Sequence, residues 1–320
     1  MRYSYVGIVF YYMLKNLGWF SLLIGILSSS PIKTEVLVDF DTFKVLSSKN
    51  IDERIYPASL TKIMLLLITF KKIEEGKLHL YDRIKISNNA NRKPPSKLNI
   101  ASGKTISVKD AIIALITKSA NNVACALAER IAGNEKEFAR LMNTYATRIG
   151  LTNSHFENAS GLFHKNQYTT GRDLAKLSLC MMKSFPEKYS WFKTKSFKYN
   201  GTTHINHNNM IGSYNCGMFI DGIKTGYTYL SGFNIVVSAV KNGKRLLVIV
   251  TGANSALERS KTVKKLLAQG FNIKNPNLAI RFVNHNKTLH TAAHNRKQNY
   301  KGNFFFKRKS KNRKIFLVKK

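Results

Sequence analysis

The sequence predicts a mixed α/β (α+β) chain, a sheet with helices packed on it and a helical lobe inserted between its strands. Three observations carry this. Glu35–Phe40 and Lys44–Leu46 alternate apolar and polar residues, the mark of a half-buried strand pair. Residues 63–149 then hold several stretches of helical spacing in succession. Finally, Phe233–Val240 and Lys244–Val250 are β-branched runs joined through Asn242-Gly243, a strong hairpin signal. Strands at both ends with helices between them suit a sheet whose first and last segments meet.

The elements follow in order. Ile63–Ile73 is apolar with lysines and glutamates at its far end, and Gly76 closes it as a helix terminator. A polar, proline-bearing loop runs from Asn88 to Ser96. Val108–Ile116 reads as a helix, Thr117-Lys118-Ser119-Ala120-Asn121-Asn122 as a break, and Val123–Ile131 as a second helix stopped at Gly133. Glu135–Ile149 is a third, amphipathic helix ending at Gly150. The strand pattern resumes from Phe219, where Lys224-Thr225-Gly226 is expected to open the strand region, and Glu258–Gln269 forms a closing helix ended by Gly270.

The flanks differ from this middle. Arg2 and Lys15 precede an apolar run from Leu17 to Leu27, followed by three serines and Pro31. A positive flank, a short apolar stretch and small residues describe a secretory signal at residues 1–30. Extended back through Val6, the same segment reads as an uncleaved N-terminal anchor; both readings place the rest outside the cytoplasm, in the periplasm or on the outer face of the membrane. Residues 31–275 hold the folded catalytic region. Residues 276–320 form a basic tail with no acidic residue, and all 17 acidic residues of the chain lie between Glu35 and Glu258.

With 52 lysines and arginines the formal net charge is +35, which attracts polyanions. The tail reads as solvated and disordered, or as a peripheral contact with anionic membrane lipid or wall polymer. Nucleic acid is the poorer match, because a signal-like N-terminus directs the chain away from it. Three scattered cysteines, Cys125, Cys180 and Cys216, make neither a disulfide framework nor a metal site. The sequence has no phosphate-binding glycine loop, and His204 and His207 lack the further ligands a metal would require.

The chemistry begins at Tyr56-Pro-Ala-Ser-Leu-Thr-Lys-Ile-Met64. Ser59 and Lys62, three apart at a helix start, share a face, so the amine reaches the hydroxyl. For Lys62 to accept a proton its pKa must fall from about 10.4, through burial or a neighbouring cation. Ser119 and Asn121 occupy the break between helices and are placed to project into a cleft. Lys224-Thr225-Gly226 supplies a cation for a substrate carboxylate, a cation beside Lys62, and a glycine that lets a ligand backbone approach.

The three motifs Ser-x-x-Lys, Ser-x-Asn and Lys-Thr-Gly, in this order, resemble the active-site signature of penicillin-binding proteins and serine β-lactamases. Across roughly Thr34–Asn272 the chain resembles the low-molecular-mass penicillin-binding proteins, the serine D-alanyl-D-alanine carboxypeptidases. Supporting stretches include Pro95-Ser-Lys-Leu98, Asn158-Ala-Ser-Gly-Leu162, Thr170-Gly-Arg-Asp-Leu174 and Asp221-Gly-Ile-Lys-Thr-Gly-Tyr-Thr228. The resemblance implies the β-lactamase/DD-peptidase (transpeptidase-like) fold, an antiparallel sheet flanked by helices with an inserted all-helical lobe.

It also implies roles. Ser59 is the acylated nucleophile, Lys62 its general base and Ser119 a proton relay. Asn121 holds the substrate amide, Lys224, Thr225 and Gly226 bind the peptide terminus, and the backbone N–H groups of Ser59 and Tyr227 form the oxyanion hole. The substrate implied is a peptidoglycan pentapeptide and the inhibitors β-lactams, with no metal or cofactor. A β-lactamase of the same fold is the competing enzyme, but Glu135, Glu137, Glu157 and Glu187 lack the context of its deacylating glutamate. Endopeptidase cleavage of cross-links stays open. Asn122 stands where the family often has aspartate, and the tail is too short for the second, β-rich domain that members commonly carry.

Overall fold

The structure, a computed structural model, describes residues 34–214 and 216–273. The expected signal or anchor and the basic tail lie outside them. Six strands form one antiparallel sheet in the order β2-β1-β10-β9-β8-β7. These are β1 (Thr34–Asp39), β2 (Val45–Lys49), β7 (Gly212–Ser213), β8 (Met218–Thr228), β9 (Gly232–Lys241) and β10 (Lys244–Ala253). The first and last strands pair, Thr34 opposite Thr251 and Asp39 opposite Leu246, as the strand–helix–strand order predicts. Two small antiparallel sheets that the sequence did not announce complete the set, β3 (Arg83–Lys85) with β4 (Thr105–Ser107), and β5 (Ser196–Tyr199) with β6 (Thr202–Ile205).

The β9–β10 hairpin turns at Asn242 and Gly243, which have φ of 49° and 77°. Both central residues of a type I′ turn need positive φ, which is why Asn-Gly marks it. Along these strands successive residues feed opposite layers. Ile235, Val237, Leu246 and Val248 pack against Val263, Leu266 and Leu267 of one helix, while Val236, Leu247 and Ile249 join the larger core on the opposite face. Covering both faces explains why the runs are apolar throughout rather than alternating.

The helices of ten or more residues are α1 (Lys62–Glu74), α2 (Val108–Thr117), α3 (Asn121–Ala132), α4 (Glu135–Arg148), α5 (Gly171–Ser184) and α6 (Ala256–Gly270). Every residue of α1 from Lys62 to Phe70 is buried, so it is the central helix of the larger core. Its charged end surfaces in the pairs Lys71–Glu74 (2.8 Å) and Lys72–Glu75 (3.0 Å). The chain stops there through Gly76 N–H to Ile73 O (3.1 Å) and Lys77 N–H to Lys72 O (2.9 Å), the double bond of a Schellman cap.

Side chains cap four of these six helices at their starts. Ser107, Asn134, Thr170 and Ser255 accept from the backbone N–H three residues on. Helix α5 is the long element the sequence reading left unassigned; its signal was the Thr170-x-x-Asp173 cap followed by Leu174, Leu177 and Met181. No helix among the described residues is long and apolar enough to cross a membrane.

Candidate active site

Ser59 sits in a single 3₁₀ turn, Ala58–Thr61, and Lys62 is the first residue of α1. With three residues per 3₁₀ turn, positions i and i+3 eclipse, which stacks the lysine on the serine more directly than an α-helix would. Lys62 Nζ lies 2.8 Å from Ser59 Oγ. Ala58, immediately before Ser59, has φ of 47°, a left-handed conformation that costs an L-residue energy and is held only by its surroundings.

The amine has two further partners. Asn121 Oδ1 is 2.9 Å and the Ser160 carbonyl oxygen 2.5 Å from Lys62 Nζ. Both are pure acceptors. They take two N–H bonds, and a neutral amine so held has its lone pair left for the Ser59 hydroxyl. Burial drives the Lys62 pKa well below its ordinary value, the Lys224 cation drives it further, and Glu135 opposes both. Desolvation is thus the leading cause, with the cation expected from the sequence as the second.

Ser119 stands in the break between α2 and α3 with φ of 59°. It is buried, and its Oγ has no hydrogen-bond partner among the described residues. A buried hydroxyl without a partner costs about 1–3 kcal/mol. Asn121 opens α3, its N–H donating to Ser96 O (2.6 Å) and its Nδ2 to Pro94 O (3.0 Å). Both ends of this amide are engaged, so contact with a substrate amide requires Nδ2 to exchange Pro94 for it. Asn122 is turned away: it accepts from Leu98 N–H (3.1 Å) and donates to Leu98 O (2.9 Å), pinning the proline loop.

Lys224, Thr225 and Gly226 do not open their strand, as the sequence reading expected, but lie in the second half of the eleven-residue β8. The residues before them are less regular in pattern because the register shifts between Ile220 and Gly222. Lys224 is buried, donates to Thr225 O (2.9 Å), and has its pKa pulled to about 7 by burial and then by Arg259. A Cβ on Gly226 would lie 3.1 Å from Ser59 N and 3.2 Å from Pro57 O, so this strand edge abuts the turn that carries Ser59. Tyr227 is exposed, its ring 4.3 Å from that of Phe233.

Ser59, Ser119, Asn121, Thr225, Gly226 and Tyr227 line one cleft of about 500 Å³. Lys62 and Lys224 are buried behind Ser59 and Thr225. Three groups in or beside it escaped sequence reasoning. Arg259, from α6, is buried and lines the cleft with its Nε unpartnered among the described residues; nothing in its helical sequence context marks it as different from a surface arginine. His207 lines it too, its pKa lowered to about 4 by desolvation and by Lys224, Lys118 and Lys62. The Ser160 carbonyl is invisible to side-chain motifs, although Asn158-Ala-Ser-Gly-Leu162 flagged the loop. A larger cavity of about 640 Å³, beside Lys85, Asn88 and Arg130, contains none of these groups. Among the described residues no cluster of His, Cys, Asp and Glu could hold a metal ion.

The sequence profile of the D-alanyl-D-alanine carboxypeptidase family (peptidase family S11) matches residues 29–255. D-alanyl-D-alanine carboxypeptidase DacC of Escherichia coli is 35% identical over 242 residues, 74% of this chain and 60% of that protein. The chain thus spans about 60% of the length of such curated relatives. Penicillin-binding protein 5 of Haemophilus influenzae superposes with a TM-score of 0.71 at 33% identity, covering 77% of this chain and 72% of that one. Penicillin-binding protein D2 of Listeria monocytogenes in its cefotaxime-bound form gives 0.67 at 27%, covering 74% and 96%. With its fold, its three motifs in one cleft and this extent of similarity, the chain belongs to the D-alanyl-D-alanine carboxypeptidase family of penicillin-binding proteins.

Proposed function

We propose that the protein is a serine-type D-alanyl-D-alanine carboxypeptidase that removes the terminal D-alanine of peptidoglycan stem peptides and is acylated by β-lactams. The observation that carries this is the arrangement at Lys62, whose Nζ lies within hydrogen-bond distance of two pure acceptors and 2.8 Å from Ser59 Oγ; in the neutral amine the acceptors take both hydrogens and leave the lone pair for the Ser59 hydroxyl. A desolvated neutral amine is a general base at neutral pH, and the adjacent hydroxyl is the nucleophile it activates.

Ser59 Oγ attacks the carbonyl carbon of the penultimate D-alanine while Lys62 Nζ takes the hydroxyl proton. The oxyanion is met by the N–H groups of Ser59 and Tyr227, each such donor contributing about 10²–10³ in rate. As the C–N bond breaks, that proton passes through Ser119 Oγ to the departing nitrogen. Water then cleaves the ester and restores the Ser59 hydroxyl. Lys224, Thr225 and Arg259 bind the terminal carboxylate. Its negative charge favours the charged form of Lys224, and that cation in turn favours neutral Lys62, so binding the right terminus prepares the base. The substrate lies outside the cytoplasm, which is where the signal-like N-terminus directs the chain.

The test is labelling with a fluorescent penicillin together with release of D-alanine from a D-Ala-D-Ala peptide. A stable adduct and D-alanine release, both lost in Ser59→Ala, are expected. Rapid turnover of the penicillin would make it a β-lactamase, and no labelling of the wild type would remove the catalytic reading.

A further inference from the structure

We propose that the Lys93–Glu135 ion pair is a clasp that positions the general base, holding in register the two loops that supply both acceptors of Lys62. The proposal rests on the acylation chemistry given above for Ser59 and Lys62. Lys93 Nζ and Glu135 Oε2 are 2.5 Å apart, and their side chains are only 19% and 13% exposed. Surface pairs of this kind contribute little, but one shielded from water and tied into further hydrogen bonds fixes geometry.

What the pair joins is specific. Lys93 directly precedes Pro94, whose carbonyl accepts from Asn121 Nδ2 (3.0 Å), and Ser96 two residues on accepts from Asn121 N–H (2.6 Å). Asn121 Oδ1 is the first acceptor of Lys62. On the other side, Glu135 Oε1 accepts from Ala159 N–H (3.4 Å), and the next residue, Ser160, carries the second acceptor. Lys93 therefore anchors the loop behind one acceptor, and Glu135, at the start of α4, anchors the loop behind the other. If either loop drifts, the lone pair of Lys62 no longer points at Ser59 Oγ.

The charges make the role measurable. Lys62 faces the Lys224 cation from β8 and the Glu135 carboxylate from α4, which raises its pKa against burial and Lys224. Glu135 in turn faces Lys93 from the proline loop and Cys125 from α3, and Glu129 of α3 faces the same Lys93 and Cys125; burial, Glu135 and Glu129 push the Cys125 thiol up, so it stays neutral. Removing the negative charge from this cluster lowers the Lys62 pKa. Removing the positive charge of Lys93 leaves Glu135 unneutralised and raises it.

The experiment measures penicillin acylation of Ser59 against pH in the wild type, Glu135→Gln, Lys93→Met and Lys93→Arg, with thermal unfolding run alongside. Glu135→Gln keeps an acceptor for Ala159 and is expected to lower the plateau rate about tenfold and move the acid limb to lower pH. Lys93→Met is expected to lower the plateau similarly and move the limb to higher pH, and Lys93→Arg to stay near wild type. Loss of fold alone produces no opposed shifts. Wild-type plateaus in Glu135→Gln and Lys93→Met, or shifts of one sign in both, overturn the clasp. An unlabelled wild type would instead count against the proposed function; the opposed shifts would then be read from an NMR titration of Lys62 in the unreacted proteins, and their absence there would overturn the clasp separately.

Discussion

Replacing Gly161 with alanine tests the oxyanion hole without touching any side chain that reacts. Gly161 has φ of 84°, and a Cβ built there falls inside the van der Waals radius of the Ala58 carbonyl oxygen and 3.0 Å from Ser59 N. Two costs follow. An L-residue in this region loses about 1–2 kcal/mol relative to glycine. The contact itself is with backbone, which has no rotamer to yield, so the Ala58–Ser59 peptide must move by about 1 Å, carrying the Ser59 N–H away from the developing oxyanion. Loss of one such donor costs about 10²–10³ in rate. Gly161→Ala should therefore acylate at least about a hundredfold more slowly, while the melting temperature falls by about 4–8 °C for roughly 2 kcal/mol. Gly226→Ala is the internal comparison: its contacts of 3.1–3.3 Å with Ser59 N, Pro57 O and Ala58 Cβ ask for shifts of only tenths of an ångström, and about a tenfold loss is expected. Stopped-flow measurement of second-order acylation by a fluorescent penicillin decides it. A Gly161→Ala rate within threefold of wild type would refute the argument that this backbone contact holds the Ser59 donor in place.

Lys224→Met removes the cation beside Lys62, so the Lys62 pKa should rise and the acid limb of acylation move to higher pH, with KM for a D-Ala-D-Ala peptide increasing; an unmoved limb would break the link between the two lysines. In the wild type, Lys224 loses its proton near pH 7, so affinity for a terminal carboxylate should weaken above that pH, as read by inhibition with a D-Ala-D-Ala peptide. The folded-state pKa of Lys224 is depressed from its unfolded value, so the unfolded chain binds more protons between about pH 7 and 10. Stability should rise with pH across that window, by up to about 1.4 kcal/mol per unit for this group, and be lost as pH falls through 7. Urea midpoints for wild type and Lys224→Met at pH 7 and 9.5 check the sign; equal pH dependence in the two would defeat it. Asp221 accepts from Tyr189 Oη (2.9 Å) and twice from Arg245 (2.9 and 2.7 Å), so Asp221→Asn should cost about 1.5–3 kcal/mol in the same assay without altering penicillin acylation.

How far the sequence went can be seen at single residues. Gly76 and the Asn242-Gly243 turn were legible because their backbone requirement is local. The hairpin and the pairing of first and last strands followed from apolar patterning, which records what each strand must bury. Ser59, Lys62, Ser119, Asn121 and Lys224 could be singled out because Ser-x-x-Lys, Ser-x-Asn and Lys-Thr-Gly are short local patterns; that Ser59, Ser119 and Asn121 line one cleft, with Lys62 and Lys224 buried, came from the fold.

Other features left no local trace. Helix α5 was passed over although its Thr170 cap and apolar spacing were present, and the Lys224 motif was placed at a strand start because the irregularity near Gly222 broke the alternation before it. Arg259 is a cleft residue only because α6 packs on β9 and β10, which brings its first turn to the cleft that Thr225–Thr228 of β8 also line. The sequence by itself determined which functional groups are available for chemistry and which segments are apolar, since both are properties of side chains. The tertiary structure alone decided the surroundings that lower the Lys62 pKa and the partners of its amine, because burial, the Ser160 carbonyl, the Asn121 amide and the Lys224 cation reach it from segments 59–162 residues away along the chain. Desolvation and hydrogen-bond direction are set by what is packed around a group, and no neighbour in sequence carries that information.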